Sequence, residues 1–439
     1  MPFHKVNLLK GGAYMPLPKS STPAAHHNFI WVSISCGLYW FAFSLTRPII
    51  TLFAASLGLQ DIAIGIVLAV YALLPMLAAI PGGFIADRFG RSNVLRVGSL
   101  MMLASGLLYW ISSGPWTLAL AQLLAGLGQM AVWLAVQVLI TEGPVQGNEG
   151  RFATFSLYMA IGQMLAPILS GYLADHYGYK VVFAGYILSS VLLIFTSWQC
   201  RDEAPPTPVS GEGEAALSIP PEHSAGKIRQ WFGQCLGLLR NRSFAVILLT
   251  TFISLFIVDV RTAYLPLHLE SLGISNTQVG LLVSIGAVSA LFVRPLYPRL
   301  MARLSFSWML ILTYAVSLLL LFATPMLTSF YSIAALVFIT GLALGINQPL
   351  TLSMIAHSTA PEERGLGIGL RLMSNRAAQL MDPLLFGFFT AFVSLRASFL
   401  LVGALLLVCC AFTVQLQLTA NRAPHSHMPY HDKKPRAST

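Results

Sequence analysis

Twelve stretches of this sequence are each long and apolar enough to cross a bilayer as a helix. They lie near residues 29–53, 62–86, 93–113, 115–141, 152–174, 179–199, 243–268, 277–298, 306–326, 329–356, 365–392 and 396–416. A hydrocarbon layer of ~30 Å needs about 20 helical residues. Inside lipid every backbone N–H and C=O must bond within the chain, so only helices and closed barrels span it, and runs of this length fit helices. Only 10% of the 439 residues are charged, and 56% are hydrophobic. Soluble domains carry about 25% charged residues, and no water-soluble fold of this size covers so much apolar surface. The expected fold is an all-α polytopic membrane protein.

Most connections are a few residues long, so consecutive helices pass up and down. One is different. Residues 201–242 include APPTPVSGEGEAALSIPPEHSAG, the composition of a flexible linker, with a short amphipathic piece at Ile228–Leu239. It divides six helices from six. The expected units are a tail at 1–28, a bundle at 29–200, the linker, a bundle at 243–417 and a tail at 418–439. The first tail has no apolar run long enough for a signal peptide.

The formal charge of +10 reads as topology rather than nucleic-acid binding. With the N-terminus inside, the inner segments hold Arg88, Arg91, Arg96, Arg151, Arg201, Lys227, Arg229, Arg240, Arg242, Arg299, Arg303, Arg364 and both basic tails, and the outer loops hold only Lys180 and Arg396. Lys and Arg accumulate on the cytoplasmic side. Both termini are therefore expected in the cytoplasm of a cell with the chain in its inner or plasma membrane. The five cysteines match no metal site or disulfide framework. His425, His427 and His431 lie in the basic C-terminal tail, where no folded metal site is expected.

The two halves resemble each other. Ser56-Leu57-Gly58 with Gly65 is echoed 215 residues later by Ser271-Leu272-Gly273 with Gly280. Arg88 falls opposite Arg303 at the same offset, and Pro167 and Gly171 match Pro383 and Gly387 at an offset of 216. Three matches in register indicate a duplicated six-helix unit. Parallel repeats of this kind place a transporter's substrate site at the repeat interface, near mid-membrane.

Between the second and third helices stands Gly83-Phe84-Ile85-Ala86-Asp87-Arg88-Phe89-Gly90-Arg91-Ser92. This resembles the inner-loop signature of the major facilitator superfamily, G-x-x-x-D-[RK]-x-G-[RK]-[RK], and departs from it only at Ser92. The second-half counterpart keeps Arg299 and Arg303 but not the acid or the glycines. The resemblance covers the chain through helix count, long central loop and half-repeat. It implies two six-helix bundles related by a pseudo-two-fold axis, working by alternating access and usually as a monomer. It also implies a gating role for Gly83, Asp87, Arg88, Gly90 and Arg91, with Asp87 latching the cytoplasmic side. The alternative is that Arg88 and Arg91 are topology charges alone. The fifth helix carries Gly162, Ala166-Pro167 and Ser170-Gly171, which resemble a degraded form of the glycine-proline motif of the superfamily's drug exporters; close helix packing explains these residues equally well.

Ionisable and amide side chains inside spans are rare and mark function. On the first helix Cys36, Trp40, Phe43 and Arg47 share a face. The fourth carries a stripe of Gln122, Gly126, Gln129, Trp133 and Gln137. The seventh has Asp259 and Arg261, the tenth has Gln348 on the Gly341–Gly345 face with Asn347 off it, and the eleventh has Arg371, Asn375, Gln379 and Asp382 on one face with Arg376 to the side. The superfamily lines its cavity with the first, fourth, seventh and tenth helices, with help from the eleventh, and these are the helices bearing the polar stripes.

The candidate substrate-binding residues are Trp40, Arg47, Gln129, Trp133, Gln137, Arg261, Gln348, Arg371, Asn375 and Gln379. Guanidinium forks suit carboxylate or phosphate. Asp259 and Asp382 are the candidate proton carriers, because burial disfavours a charged carboxylate while a nearby Arg favours it. The alternative is a set of Arg–Asp pairs that only lock helices together.

No phosphate-binding loop for ATP, nucleophile elbow or metal-ligand set is present. The expected function is therefore secondary transport of a small organic solute without a cofactor. Proton-coupled efflux is preferred, proton-linked uptake of an organic anion is the alternative, and a non-transporting sensor on the same fold is the rival of another class. A sensor should carry a substantial soluble output domain, and the longest polar segment here is a short linker.

Overall fold

A computed structural model describes residues 23–78, 89–141, 148–202, 233, 235–359 and 364–422. Among these are twelve long helices. The first six are α1 (Pro23–Ser56), α2 (Asp61–Ala78), α3 (Arg91–Ile111), α4 (Pro115–Thr141), α5 (Asn148–Tyr177) and α6 (Tyr179–Gln199). The second six are α7 (Arg242–Ser271), α8 (Asn276–Arg303), α9 (Phe306–Met326), α10 (Phe330–Ser358), α11 (Arg364–Phe392) and α12 (Leu395–Arg422). A short helical piece at 235–240 precedes α7. Gly83, Asp87 and Arg88 of the loop signature lie outside the described residues, as do the two tails over 1–22 and 423–439, the linker over 203–232 and half of the amphipathic piece at Ile228–Leu239.

Eleven of the twelve helices are long and apolar enough to cross a membrane. The exception, α11, has 29 residues, but Arg364, Arg371, Arg376 and Asp382 dilute its apolar character. It packs on α2, α7 and α12. Arg371, Gln379 and Asp382 are buried there, while Met381, Leu384 and Phe388 are exposed. A spanning helix can carry this many charges when the polar face is turned away from lipid.

Helix α7 is not regular. Val260–Tyr264 form a π-turn, in which the Leu265 amide reaches back to the Val260 carbonyl. Pro266 follows directly; it lacks an N–H and its ring crowds the preceding turn. The turn sits between Asp259 and the start of the last segment of α7, and apolar periodicity gave no sign of it.

Helices α1–α6 form one bundle and α7–α12 the other. The bundles meet along α2–α11, α5–α8 and α1–α7. The α2–α11 and α5–α8 contacts are related by the duplication. Gly65 lies against the Pro383 carbonyl and Gly387, and Gly280 lies against the Pro167 carbonyl and Ile168. Gly387 in turn faces the Asp61 carbonyl, and Gly171 faces the Asn276 carbonyl. At each of these four glycines a Cβ would overlap backbone atoms of the opposite helix. Gly58 and Gly273, also a repeat pair, both turn the chain with positive φ, at 76° and 75°.

The face where α1 starts and α12 ends is called here the termini face, and the opposite one the far face. The glycine contacts all lie in the far half of the molecule. So do the hydrogen bonds that join the bundles among the described residues: Arg47 to Asp259, Ser284 to the Met164 carbonyl, and Asp175 to the start of α8. The bundles are thus closed against each other at the far face.

Candidate functional site

The centre of the site is an ion pair between the bundles. Arg47 on α1 donates from Nη2 to Asp259 Oδ1 on α7 at 2.6 Å. The side chains are 12% and 5% exposed. Arg47 precedes Pro48, which leaves the helix continuous but without one amide. The guanidinium lies over two rings, 5.1 Å from the Tyr71 centroid and 5.7 Å from that of Phe43. Such a stack offsets part of the cost of taking the cation out of water.

Tyr71 comes from α2, where Gly126 of α4 packs against its carbonyl. Its hydroxyl donates to Gln129 Oε1 at 2.6 Å. In parallel, Tyr109 on α3 donates to Gln122 Oε1 at 2.7 Å. A narrow cavity runs beside Arg47, walled by Phe43, Thr46, Ile50, both tyrosines and both glutamines. The glutamine stripe of α4 is therefore bound in part by phenols of its own bundle. Gln122 Nε2 and Arg47 Nε have no protein hydrogen-bond partner among the described residues.

Towards the termini face from Arg47 stands an aromatic cluster. Trp40 and Trp133 meet edge to face at 5.3 Å, Tyr39 stacks on Trp133 at 5.8 Å, and Phe43 closes on Trp40 at 5.4 Å. The Trp40 indole N–H is buried and has no partner among the described residues. Aromatic rings with a spare donor offer flat apolar area together with one directional bond.

The α11 face completes the site. Asp382 is 1% exposed, and neither carboxylate oxygen has a hydrogen-bond partner among the described residues. Its charge lies within electrostatic reach of Arg47 and Asp259. Nearly two turns away, Arg376 Nη1 donates to Gln379 Oε1 at 2.7 Å, and its charge lies within electrostatic reach of Tyr39. Tyr264, just after Asp259, donates to the Pro383 carbonyl at 2.9 Å and stacks on Phe386.

The structure thus gathers Trp40, Arg47, Gln129, Trp133, Asp259 and Asp382 around one centre, with Gln379 on the same helix as Asp382 and bound by Arg376. The other candidates sit elsewhere or make no such contact. Arg261 is two residues from Asp259 and projects the other way, against Gly286 of α8, with Nε and Nη1 unpartnered among the described residues. Arg371 donates from Nε to Thr351 Oγ1 of α10 at 3.0 Å. Gln137 and Asn375 are half-buried and Gln348 is exposed, whereas its neighbour Asn347 is buried with both amide atoms unpartnered among the described residues.

The sequence reading does not single out Tyr39, Tyr71 or Tyr109, and it places Arg376 to the side of the polar face. Tyr71 carried a usable signal, as the one phenol in an otherwise apolar α2. Among the described residues no group of three His, Cys, Asp or Glu is placed to hold a metal.

Of the loop signature, Gly90 and Arg91 are described. Gly90 has a φ of 85° and immediately precedes α3. Ser92, at the position that departs from the signature, donates its backbone N–H and hydroxyl to Asp202 Oδ1 at 2.8 and 3.0 Å. The side chain that replaces the usual base is thus held by an acid just beyond α6.

Comparison with known proteins agrees with this architecture. The Major Facilitator Superfamily profile matches residues 32–312 and 247–433. The multidrug resistance protein MdtG of Proteus mirabilis (strain HI4320) is 25% identical over 400 residues, covering 88% of this chain and 94% of that protein. MdtG of Klebsiella pneumoniae (strain 342) is 25% identical over 390 residues, covering 85% of this chain and 89% of that protein. Among solved structures, a bacterial homologue of the human lysosomal transporter Spinster, inward-facing and unoccupied, superposes with a TM-score of 0.70 at 14% identity, covering 93% of this chain and 100% of that one. A mutant of the nucleoside transporter NupG gives 0.72 at 11% identity, covering 89% and 99%. The chain belongs to the Major Facilitator Superfamily: it is a membrane transporter of two six-helix bundles, not an enzyme.

Proposed function

We propose that the protein exports a small organic solute in exchange for protons, by alternating access. The observation that carries this reading is the centre shared by the bundles: the Arg47–Asp259 pair, the Asp382 near it that has no partner among the described residues, and the Tyr39–Trp40–Phe43–Trp133 cluster. Arg47 lies between two carboxylates there, Asp259 and Asp382. A proton or a solute group that balances the second carboxylate alters which state is favoured, which is what coupling requires. The ring cluster offers a solute flat apolar contact. Export is supported by the MdtG relatives, whose names describe multidrug resistance.

In this reading the termini face is cytoplasmic, as the Lys and Arg distribution favours, and the structure is the inward-open state. Gly83, Asp87, Arg88, Gly90 and Arg91 then form the cytoplasmic gate, closed in the opposite state. The protein acts as a monomer in the inner membrane. Uptake of an organic anion is the second reading, favoured by Arg261 and Arg371, which are buried without a carboxylate partner among the described residues. Growth of an expressing host against a panel of toxic organic compounds, with and without a proton uncoupler, tests the proposal. Resistance abolished by the uncoupler supports it. Heightened sensitivity to anionic compounds supports uptake instead.

A further inference from the structure

The octapeptide Gly171-Tyr172-Leu173-Ala174-Asp175-His176-Tyr177-Gly178 ends α5 and leads into α6. It repeats the loop signature Gly83-Phe84-Ile85-Ala86-Asp87-Arg88-Phe89-Gly90 at an offset of 88 residues. Every position is identical or closely similar except Arg88, where His176 stands. The closing glycines share a conformation, with φ of 85° at Gly90 and 82° at Gly178, and each immediately precedes a helix. Three helices separate the copies, an odd number, so the second lies on the opposite face. Each half of such a transporter can itself contain an inverted three-helix repeat, and a motif duplicated with it would recur upside down.

What the far-face copy does is visible. The first turn of a helix has N–H groups with no intrahelical partner. On α8, Ser275 serves the Gln278 amide in a capping box. The Asn276 and Thr277 amides are served from the other bundle. Asp175 Oδ1 accepts from Asn276 N at 2.9 Å and Nδ2 at 2.8 Å, and Oδ2 accepts from Thr277 N at 2.7 Å and Oγ1 at 2.6 Å. A carboxylate at a helix N-terminus is also favoured by the helix dipole. All four bonds cross the interface and must break when the far face opens. The duplication supplies no second set. The position matching Asp175 is Ala391, which cannot cap the start of α2.

We propose that Gly171–Gly178 is a second, inverted copy of the gate signature, and that Asp175 latches the far face shut by capping α8. The proposal rests on the alternating-access reading above. It is tested in full-length protein reconstituted in lipid, with the five native cysteines replaced by Ala. Nitroxide labels at Lys180→Cys and Arg396→Cys report the far face by pulsed electron resonance, and a pair at Arg201→Cys and Arg240→Cys reports the termini face. Loss of a helix cap typically shifts an equilibrium about fivefold. Asp175→Ala is expected to raise the far-open to far-closed ratio by about that factor. Thr277→Val, which keeps the amide bonds, is expected to raise it less. His176→Ala, on the same turn but bonded to Tyr172 of its own helix, should leave it unchanged. If Asp175→Ala does not insert, Asp175→Asn replaces it, with a smaller shift in the same direction. Gly280→Ala wedges α5 from α8 and serves as the positive control. Opening in Gly280→Ala but not at Asp175 overturns the latch alone. Fixed distances at both faces in every variant overturn the latch and alternating access together.

Discussion

Replacing Asp259 by Asn tests whether the Arg47–Asp259 pair belongs to one state of the transport cycle. The substitution keeps the shape and removes the charge. Both partners are nearly buried, at 12% and 5% exposed, and removing one member of a buried pair costs about 3–5 kcal/mol. Part of this is recovered here. Arg47 still rests on the Tyr71 and Phe43 rings, lies in reach of Asp382, and can donate to the new amide oxygen. A net penalty of ~2 kcal/mol on the far-closed state is reasonable, or about thirtyfold at ~1.4 kcal/mol per decade. The far-face label pair should record that shift towards opening. Arg47→Met should shift it further, because two carboxylates then face each other without a cation. Exchanging the charges, in Arg47→Asp with Asp259→Arg, should recover most of the closed population. An unchanged ratio in both single variants would refute the reasoning, as would a charge swap no better than the worse single variant.

Three further outcomes follow from the geometry. Asp382→Asn should abolish exchange driven by a pH gradient while gradient-free exchange of labelled solute between the two sides persists; gradient-driven transport at the parental rate would remove Asp382 as proton carrier. Trp133→Ala removes the ring that touches both Tyr39 and Trp40, so half-saturation should rise about tenfold with membrane insertion intact; an unchanged half-saturation would place the solute elsewhere. Gly65→Ala sets a methyl against the Pro383 carbonyl, at a typical overpacking cost of about 1–3 kcal/mol; solute should then bind from the far face while turnover falls, and normal turnover would show that the junction yields.

The helices, the division into halves and the paired glycines were legible in the sequence because each is written locally, in apolar run length or in matching short words. The site was legible only in part. Periodicity placed Trp40 and Arg47 on one face of α1 and Gln129 and Trp133 on one face of α4, and these do converge. It could not show that Arg47 is paired with a residue 212 positions away, because partners across an interface leave no local trace. Nor could it separate Asp259 from Arg261. Two residues apart on a helix they face nearly opposite ways, one towards Arg47 and one towards Gly286. Helical periodicity points Arg376 off the polar face of α11. Its long side chain nonetheless reaches Gln379, since a flexible stem is not bound to the direction of its Cβ.

The crossed glycine contacts carry a statement about ancestry. Gly65 meets Pro383 and Gly387 while Gly280 meets Pro167, and Gly387 meets Asp61 while Gly171 meets Asn276. In each case the partners exchange places when one half is mapped on the other. That is the signature of an isologous interface, in which a single surface is complementary to itself. A lone six-helix ancestor bearing the Gly65-type and Pro167–Gly171-type positions would already have held both sides of the joint. Two copies of it would dimerise about a two-fold axis. Fusion of two such copies into one chain would add covalent linkage rather than a new interface, and would free each copy to vary. Asp175 facing α8, with Ala391 in the matching place, shows how far that divergence has gone.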